Sequence, residues 1–104
     1  MKEHKYWVYI TTNPTRKVIY IGVTNNLSLR INQHFQNRGN RSSFAGKYYC
    51  YNLIYFEEYR YIDMAIKREK QLKRWTRNKK DELIYRVNPK LEFKNVLLND
   101  MPYS

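Results

Sequence analysis

The chain has 104 residues, 42% of them hydrophobic and 16% aromatic, enough for one domain with one modest core and too few for a second domain or a large cofactor fold. Lys and Arg total 20 against 9 Asp and Glu, a formal net charge of +11, which points to a polyanionic partner, nucleic acid above all, while the aromatic content argues against a disordered basic tail. No apolar run is long enough to span a bilayer and no signal or lipidation motif appears; Cys50, the single cysteine, excludes an internal disulfide and a cysteine-based zinc site, so the chain reads as cytoplasmic, without a membrane partner, and with a buried inert thiol.

Lys5 to Thr12 carries β-branched and aromatic residues without a breaker and is expected to form a strand. Asn13-Pro14-Thr15 is turn chemistry, and Lys17 to Val23 is a second strand, so a hairpin is the economical pairing. Gly22 suggests a bend or a close backbone approach. Thr24-Asn25-Asn26 offers N-caps for a first helix with Leu27 and Ile31 inward and Phe35 on its margin. Asn37 to Gly46 reads as a polar loop, and Tyr49 to Phe56 as a third strand. Asp63 is the expected cap of a second helix running to about Trp75, with Ile62, Ala65, Ile66 and Leu72 as its apolar positions. A third helix starts near Asn78, carries Leu83, Ile84 and Val87, and stops at Asn88-Pro89. Three strands and three helices make an α/β fold of one sheet with helices packed on it. Residues 1–88 form the domain, and 89–104 a C-terminal tail, docked or partly flexible.

Elimination narrows the chemistry. The chain has two histidines, no cysteine pair, no glycine-rich phosphate loop and no nucleophile elbow, so a serine hydrolase, a zinc enzyme and a nucleotide kinase lack their parts. Turning about 100° per residue, Glu69 falls in the middle of the stripe of Ile62, Ala65, Ile66 and Leu72. A carboxylate so placed needs a partner, either a buried cation or a metal or acid/base role in a cleft. Around it the segment from Lys67 to Lys80 holds eight basic residues and no other acid. A face of one sign reads as a phosphate-binding surface, built from Lys67, Arg68, Lys70, Lys73, Arg74 and Arg77. On the first helix Arg30 and His34 lie four apart, on one face beside the apolar stripe. Tyr9 and Tyr20 sit near the middle of the two hairpin strands, where pairing can make them neighbours; packing is the plain role for both.

These residues resemble a known family. Trp7-Val8-Tyr9 and Tyr20-Ile21-Gly22 are similar to the two half-motifs of the GIY-YIG nucleases. The first departs from the family pattern, with Trp7 for its glycine and Val8 for its isoleucine, and the second is a full match. Val23 to Arg30 with His34 resembles the family's next segment, and Ala65 to Lys73 its glutamate helix. The resemblance covers residues 5 to 88 and is nearest to the small single-domain bacterial members. It implies a three-stranded antiparallel sheet flanked by helices and a metal-dependent endonuclease acting on nucleic acid, with DNA the expected substrate. Glu69 would hold one divalent cation, Mg²⁺ or Mn²⁺, and Arg30 would stabilise phosphoryl charge. Tyr9 or Tyr20 would be the general base, its pKa lowered by Arg30, Lys17 and the metal, and His34 would accept the tyrosine proton or position the water. Lys17 joins the nucleic-acid contacts, and Asn88 or Asn78 is the candidate for a further site asparagine. The alternative is a nucleic-acid-binding module that keeps the fold without efficient cleavage.

Overall fold

The computed structural model describes residues 4–95. Three strands, β1 (Tyr6–Thr12), β2 (Ile19–Thr24) and β3 (Asn52–Tyr59), form one antiparallel sheet in the order β2-β1-β3. Four helices accompany it: α1 (Leu27–Gln36), α2 (Phe44–Lys47), α3 (Ile62–Arg74) and α4 (Arg77–Val87). The central strand is buried on both faces, which is why β1 is apolar almost throughout rather than alternating. Val8 and Ile10 join Ile21, Ile54, Ala65, Leu72 and Ile84 in one core layer. Trp7 and Tyr9 point the other way, into a smaller layer with Leu27, Ile31 and Leu53. The sheet thus separates α3 and α4 on one side from α1 on the other.

The hairpin forms as expected. Asn13 Oδ1 accepts from the backbone N–H groups of Lys17 and Val18 at 2.9 and 3.0 Å, closing the turn between β1 and β2. Asn26 caps α1, its Oδ1 accepting from Leu29 N at 3.1 Å. The expected loop from Asn37 to Gly46 contains the start of α2, a four-residue helix capped by the Ser43 hydroxyl. Ser42-Ser43 ahead of Phe44-Ala45 was its signal, too short to show periodicity.

β3 lies about one turn later than the sequence suggests. Tyr49 to Tyr51 are used to leave α2, with Tyr49 at φ 59° and Cys50 N donating to Ala45 O at 2.9 Å. The strand then continues through Glu57 and Glu58 because neither carboxylate is left alone: Glu58 pairs with Lys5 at 3.2 Å, and Glu57 is taken by a cluster described below. A bulge between Ile10 and Thr11 leaves Ile54 as an extra residue on β3, so that Ile54 and Tyr55 both serve the same core layer.

Helix boundaries differ in small, physical ways. α3 starts at Ile62 with no side-chain cap, and Asp63 lies inside its first turn, where its charge meets the helix dipole. α4 starts at Arg77 and is capped by Thr76, whose Oγ1 accepts from Lys79 N at 3.2 Å; Asn78 is inside the helix. Ile62, Ile66 and Val87 are exposed rather than core residues. Cys50 is fully buried, and burial pushes its thiol up to about 11, as expected of an inert thiol.

Residues after α4 run along the outer edge of β3. Asn88 Nδ2 donates to Ile54 O at 2.9 Å, Asn95 Oδ1 accepts from Leu53 N at 2.7 Å, and Lys94 N donates to Leu53 O at 2.6 Å. Arg16 fixes the segment from the other side through Leu91 O at 3.0 Å and the Phe93 ring at 4.1 Å. This covers a strand edge that would otherwise present unpaired backbone groups. Residues 96–104 of the expected tail lie outside the described residues.

Candidate active site

Tyr9 and Gly22 are Cα partners across the hairpin. Glycine is needed there because the tyrosine ring lies over the neighbouring strand: a Cβ on Gly22 would come 2.5 Å from Tyr9 Cζ. The expected close approach is therefore real, and what approaches is the Tyr9 side chain. Gly22→Ala should cost about 1–3 kcal/mol by overpacking and push Tyr9 off its partner. A urea melt checks the first effect. The second is read by NMR as a rise in the His34 pKa. Wild-type values in both would show that the strands take up the methyl without moving Tyr9 off His34.

Tyr20, two residues before Gly22, projects from the same face of the sheet and lies diagonal to Tyr9, with ring centroids 6.2 Å apart. On α1, the four-residue spacing brings Arg30 and His34 to one face. His34 leans over both tyrosines, with ring centroids 5.7 Å from Tyr9 and 5.4 Å from Tyr20. Tyr9 Oη and His34 Nε2 are hydrogen-bonded at 2.8 Å.

Burial, followed by the Arg30 charge, pushes His34 down to about 4. At neutral pH the imidazole is therefore uncharged, and its Nε2 can accept from the Tyr9 hydroxyl. Burial pushes Tyr9 well above its ordinary 10, with the Tyr20 phenol and the Glu69 carboxylate adding to the rise and Arg30 opposing it. The sequence-based expectation of a lowered tyrosine pKa is thus corrected for Tyr9, because desolvation outweighs the Arg30 charge.

The His34 value has a consequence for stability. Its ordinary value is 6.5 and its value in the fold is about 4, so the neutral form favours the fold. That contribution is complete above pH 6.5 and is lost as pH falls from there through 4. Chemical denaturation of wild type and His34→Gln across this window checks it. Wild-type stability should fall more steeply, and parallel curves would remove His34 as the cause.

Glu69 arrives from the other side of the sheet. The buried stripe of α3 is centred on Ala65 and Leu72, both with no exposure. At about 100° per residue, Arg68 falls on one flank of that stripe and Glu69 on the other, rather than Glu69 lying at its middle. The Arg68 flank meets Glu57 on β3. Glu69 acts on Tyr9 electrostatically. Its side chain is 15% exposed and pairs with exposed Lys73, one helical turn on, at 3.1 Å. The structure thus brings Tyr9, Tyr20, Arg30, His34 and Glu69 into one neighbourhood.

The basic residues divide. Lys67, Lys70 and Arg74 are exposed and line a groove of about 730 Å³ with Tyr59, Met64 and Trp75. Lys73 faces Glu69. Arg77 is held by Asp81 at 3.0 Å and by Lys17 O at 2.9 Å, while Lys17 is exposed at the end of the turn. Arg68 is not a free cation: its Nε and Nη2 each donate to Glu57 at 3.0 Å, and its guanidinium lies 5.1 Å from the centroid of the Trp75 ring.

Two groups are not apparent in the sequence reading. Glu57 accepts hydrogen bonds from Tyr55, from Tyr59 at 2.6 Å and from Arg68. Burial acts to raise its pKa, but these donors hold it below the usual carboxylate range. The signal was available in the alternation Tyr55, Glu57, Tyr59, which puts three polar groups on one face of β3. The second is Phe44 on α2, whose ring stacks on Tyr20 with centroids 6.2 Å apart. Of the two asparagine candidates, Asn88 spends its amide on the backbone of Ile54 and Glu92, and Asn78 is exposed on α4.

Among the described residues no helix is long and apolar enough to cross a membrane, and no three His, Cys, Asp or Glu side chains cluster as metal ligands. No curated protein matches the chain. The solution NMR structure of the UPF0213 protein BH0048 from Bacillus halodurans is similar in fold, with a TM-score of 0.54 at 21% identity over 88% of this chain and 93% of that one. The family model for the GIY-YIG catalytic domain matches residues 5–82, which contain both half-motif tyrosines, Arg30, His34 and Glu69. The chain belongs to the GIY-YIG family of nuclease domains.

Proposed function

We propose that the chain is a divalent-metal-dependent endonuclease that hydrolyses phosphodiester bonds in DNA, acting in the cytoplasm. The observation that carries this reading is the 2.8 Å hydrogen bond between Tyr9 and a neutral His34, within electrostatic reach of Arg30 and Glu69. It gives a proton acceptor, a cation for phosphoryl oxygens and a carboxylate in one neighbourhood.

Glu69 fits a single metal. It is the carboxylate felt by Tyr9, it is partly accessible, and its partner Lys73 is exposed and free to swing away. One carboxylate completed by water suits Mg²⁺, or Mn²⁺ in its place. When bound, the cation neutralises charge at the leaving oxygen.

The chain's own residues supply the rest. Exposed Arg30 pairs with the non-bridging phosphoryl oxygens, where negative charge grows in the transition state. The attacking water gives its proton to Tyr9 Oη as the Tyr9 proton passes to His34 Nε2. A relay is required because Tyr9 does not ionise readily by itself. A seated phosphate adds negative charge beside His34 and raises its proton affinity at the moment it is needed. Tyr20 orients the water or a phosphoryl oxygen from the adjacent strand. Lys17, Lys67, Lys70, Lys73, Arg74 and Arg77 hold the strand through its phosphates, and Arg68 supports them from its pair with Glu57.

Nicking of supercoiled and branched DNA with Mg²⁺ or Mn²⁺, repeated in EDTA and alongside an RNA of matched length, tests the reading. Cleavage that needs the metal is the expected result. Tight binding with no cleavage in either metal would replace it with the non-catalytic binding module.

A further inference from the structure

The short helix α2 and its C-cap residue carry two aromatic rings, Phe44 and Tyr48, that face solvent although the helix itself is pressed inward. Ala45 and Gly46 are buried. Gly46 O accepts from Gly39 N at 2.8 Å, and a Cβ on Gly46 would lie 2.7 Å from Asn37 O. This close backbone packing holds the outer side of α2 in place. On that side Phe44 is 51% exposed and Tyr48 40% exposed, with their centroids 4.7 Å apart. The pair is continuous with the site, because Phe44 lies against Tyr20 at an interplanar angle of 26° and Tyr20 touches His34 edge-on. It is also cationic at its rim: Lys47 Nζ stands 5.3 Å from the Tyr48 centroid, and Arg41 is exposed just before the helix.

We propose that the Phe44–Tyr48 ledge stacks an unpaired base of the strand whose phosphate occupies the Tyr9, Tyr20 and His34 site. The proposal rests on the nuclease reading above and adds the form of the substrate. Two exposed, rigidly held π-surfaces beside a phosphate site, with cations at their rim, match the chemistry of a single strand: base on ring, phosphate on cation. A base inside a duplex is already stacked on its neighbours and cannot settle on the ledge. The site therefore favours single-stranded or locally opened nucleic acid over an intact duplex.

The test is fluorescence anisotropy in EDTA, so that cleavage plays no part. The probes are a short single-stranded DNA and a strand of the same length whose central nucleotides are abasic. The two carry the same phosphate charge. The full strand should bind about 5- to 100-fold more tightly to the wild type, the range expected for one to a few stacked bases. Phe44→Leu keeps apolar bulk against Tyr20 but has no π-face, and should lose most of that preference while binding the abasic strand as the wild type does. Phe44→Trp should keep it. Melting curves confirm that each variant is folded. Equal wild-type affinity for both strands, or a preference that survives in Phe44→Leu, overturns the ledge and leaves the nuclease reading standing. Binding to neither strand also overturns the ledge, and metal-dependent nicking of supercoiled DNA then decides the nuclease reading by itself.

Discussion

Glu69→Gln should lose metal-dependent cleavage by at least about 10³-fold, since the charge stabilisation supplied by a bound cation amounts to several kcal/mol. The fold should survive. The ion pair recorded for Glu69 is with exposed Lys73 in an i, i+4 arrangement, a class of interaction worth about 0.3–0.5 kcal/mol. The melting temperature should therefore fall by only a few degrees at most, about 4–8 °C per kcal/mol being the scale for a domain of this size. Binding to DNA in the absence of metal should be kept or slightly strengthened, because a negative charge leaves a basic surface. Single-turnover cleavage, a melting curve and anisotropy on the same preparation separate the three statements. A variant that melts much earlier yet still cuts would make Glu69 a structural ion-pair partner and leave the metal without its ligand.

The contrast with Glu57 is why Glu69 and not Glu57 is proposed as the metal ligand. Both are partly buried, Glu57 on β3 against Arg68 of α3 and Glu69 on α3 itself. Glu57 accepts from two tyrosine hydroxyls and two guanidinium nitrogens, so its oxygens are already satisfied by neutral and cationic donors. Displacing them to admit a cation would leave Arg68 half-buried without a counter-charge. Among the described residues the ion-pair partner of Glu69 is the exposed Lys73. Arg68 on one flank of α3 pairs with Glu57 on β3, while Glu69 on the other flank acts on Tyr9, so one helix supplies a structural ion pair and the carboxylate proposed for the site.

Periodicity made much of this legible, and it failed where the structure depends on contacts between distant segments. The hairpin, the N-cap region of α1 and the Arg30–His34 pair follow from local spacing, because a turn, a cap and an i, i+4 face need no information from the rest of the chain. Glu69 was found by helical spacing, yet its place on the flank of the buried stripe could not be, because Ile62 and Ile66 look as apolar as Ala65 and Leu72 until the sheet is present. The displaced start of β3 depends on how α2 ends, and α2 is too short to carry a periodic signal. The pKa of Tyr9 departs from expectation for a similar reason: the nearby Arg30 is visible in the sequence, whereas the burial that dominates exists only once Tyr9 has packed in a layer with Trp7, Leu27, Ile31 and Leu53.

That burial shapes the last expected result. Tyr9→Phe removes one hydroxyl and almost no volume. The hydrogen bond to His34 is lost, which should cost about 0.5–1.5 kcal/mol of stability. If the relay operates, single-turnover cleavage should also fall by about 10²–10⁴-fold, with DNA binding unchanged. Tyr20→Phe should have a smaller effect, because its hydroxyl orients rather than transfers. The double variant Tyr9→Phe with His34→Gln is the decisive measurement. Two groups that pass one proton act as a unit, so once either is gone the other has nothing to do, and the double variant should cut about as slowly as the worse single one. Multiplicative losses would mean that Tyr9 and His34 act separately, with His34 reaching the water directly. Wild-type rates in Tyr9→Phe, together with a large loss in Tyr20→Phe, would move the base to the second strand of the hairpin and reduce Tyr9 to the ring that requires Gly22.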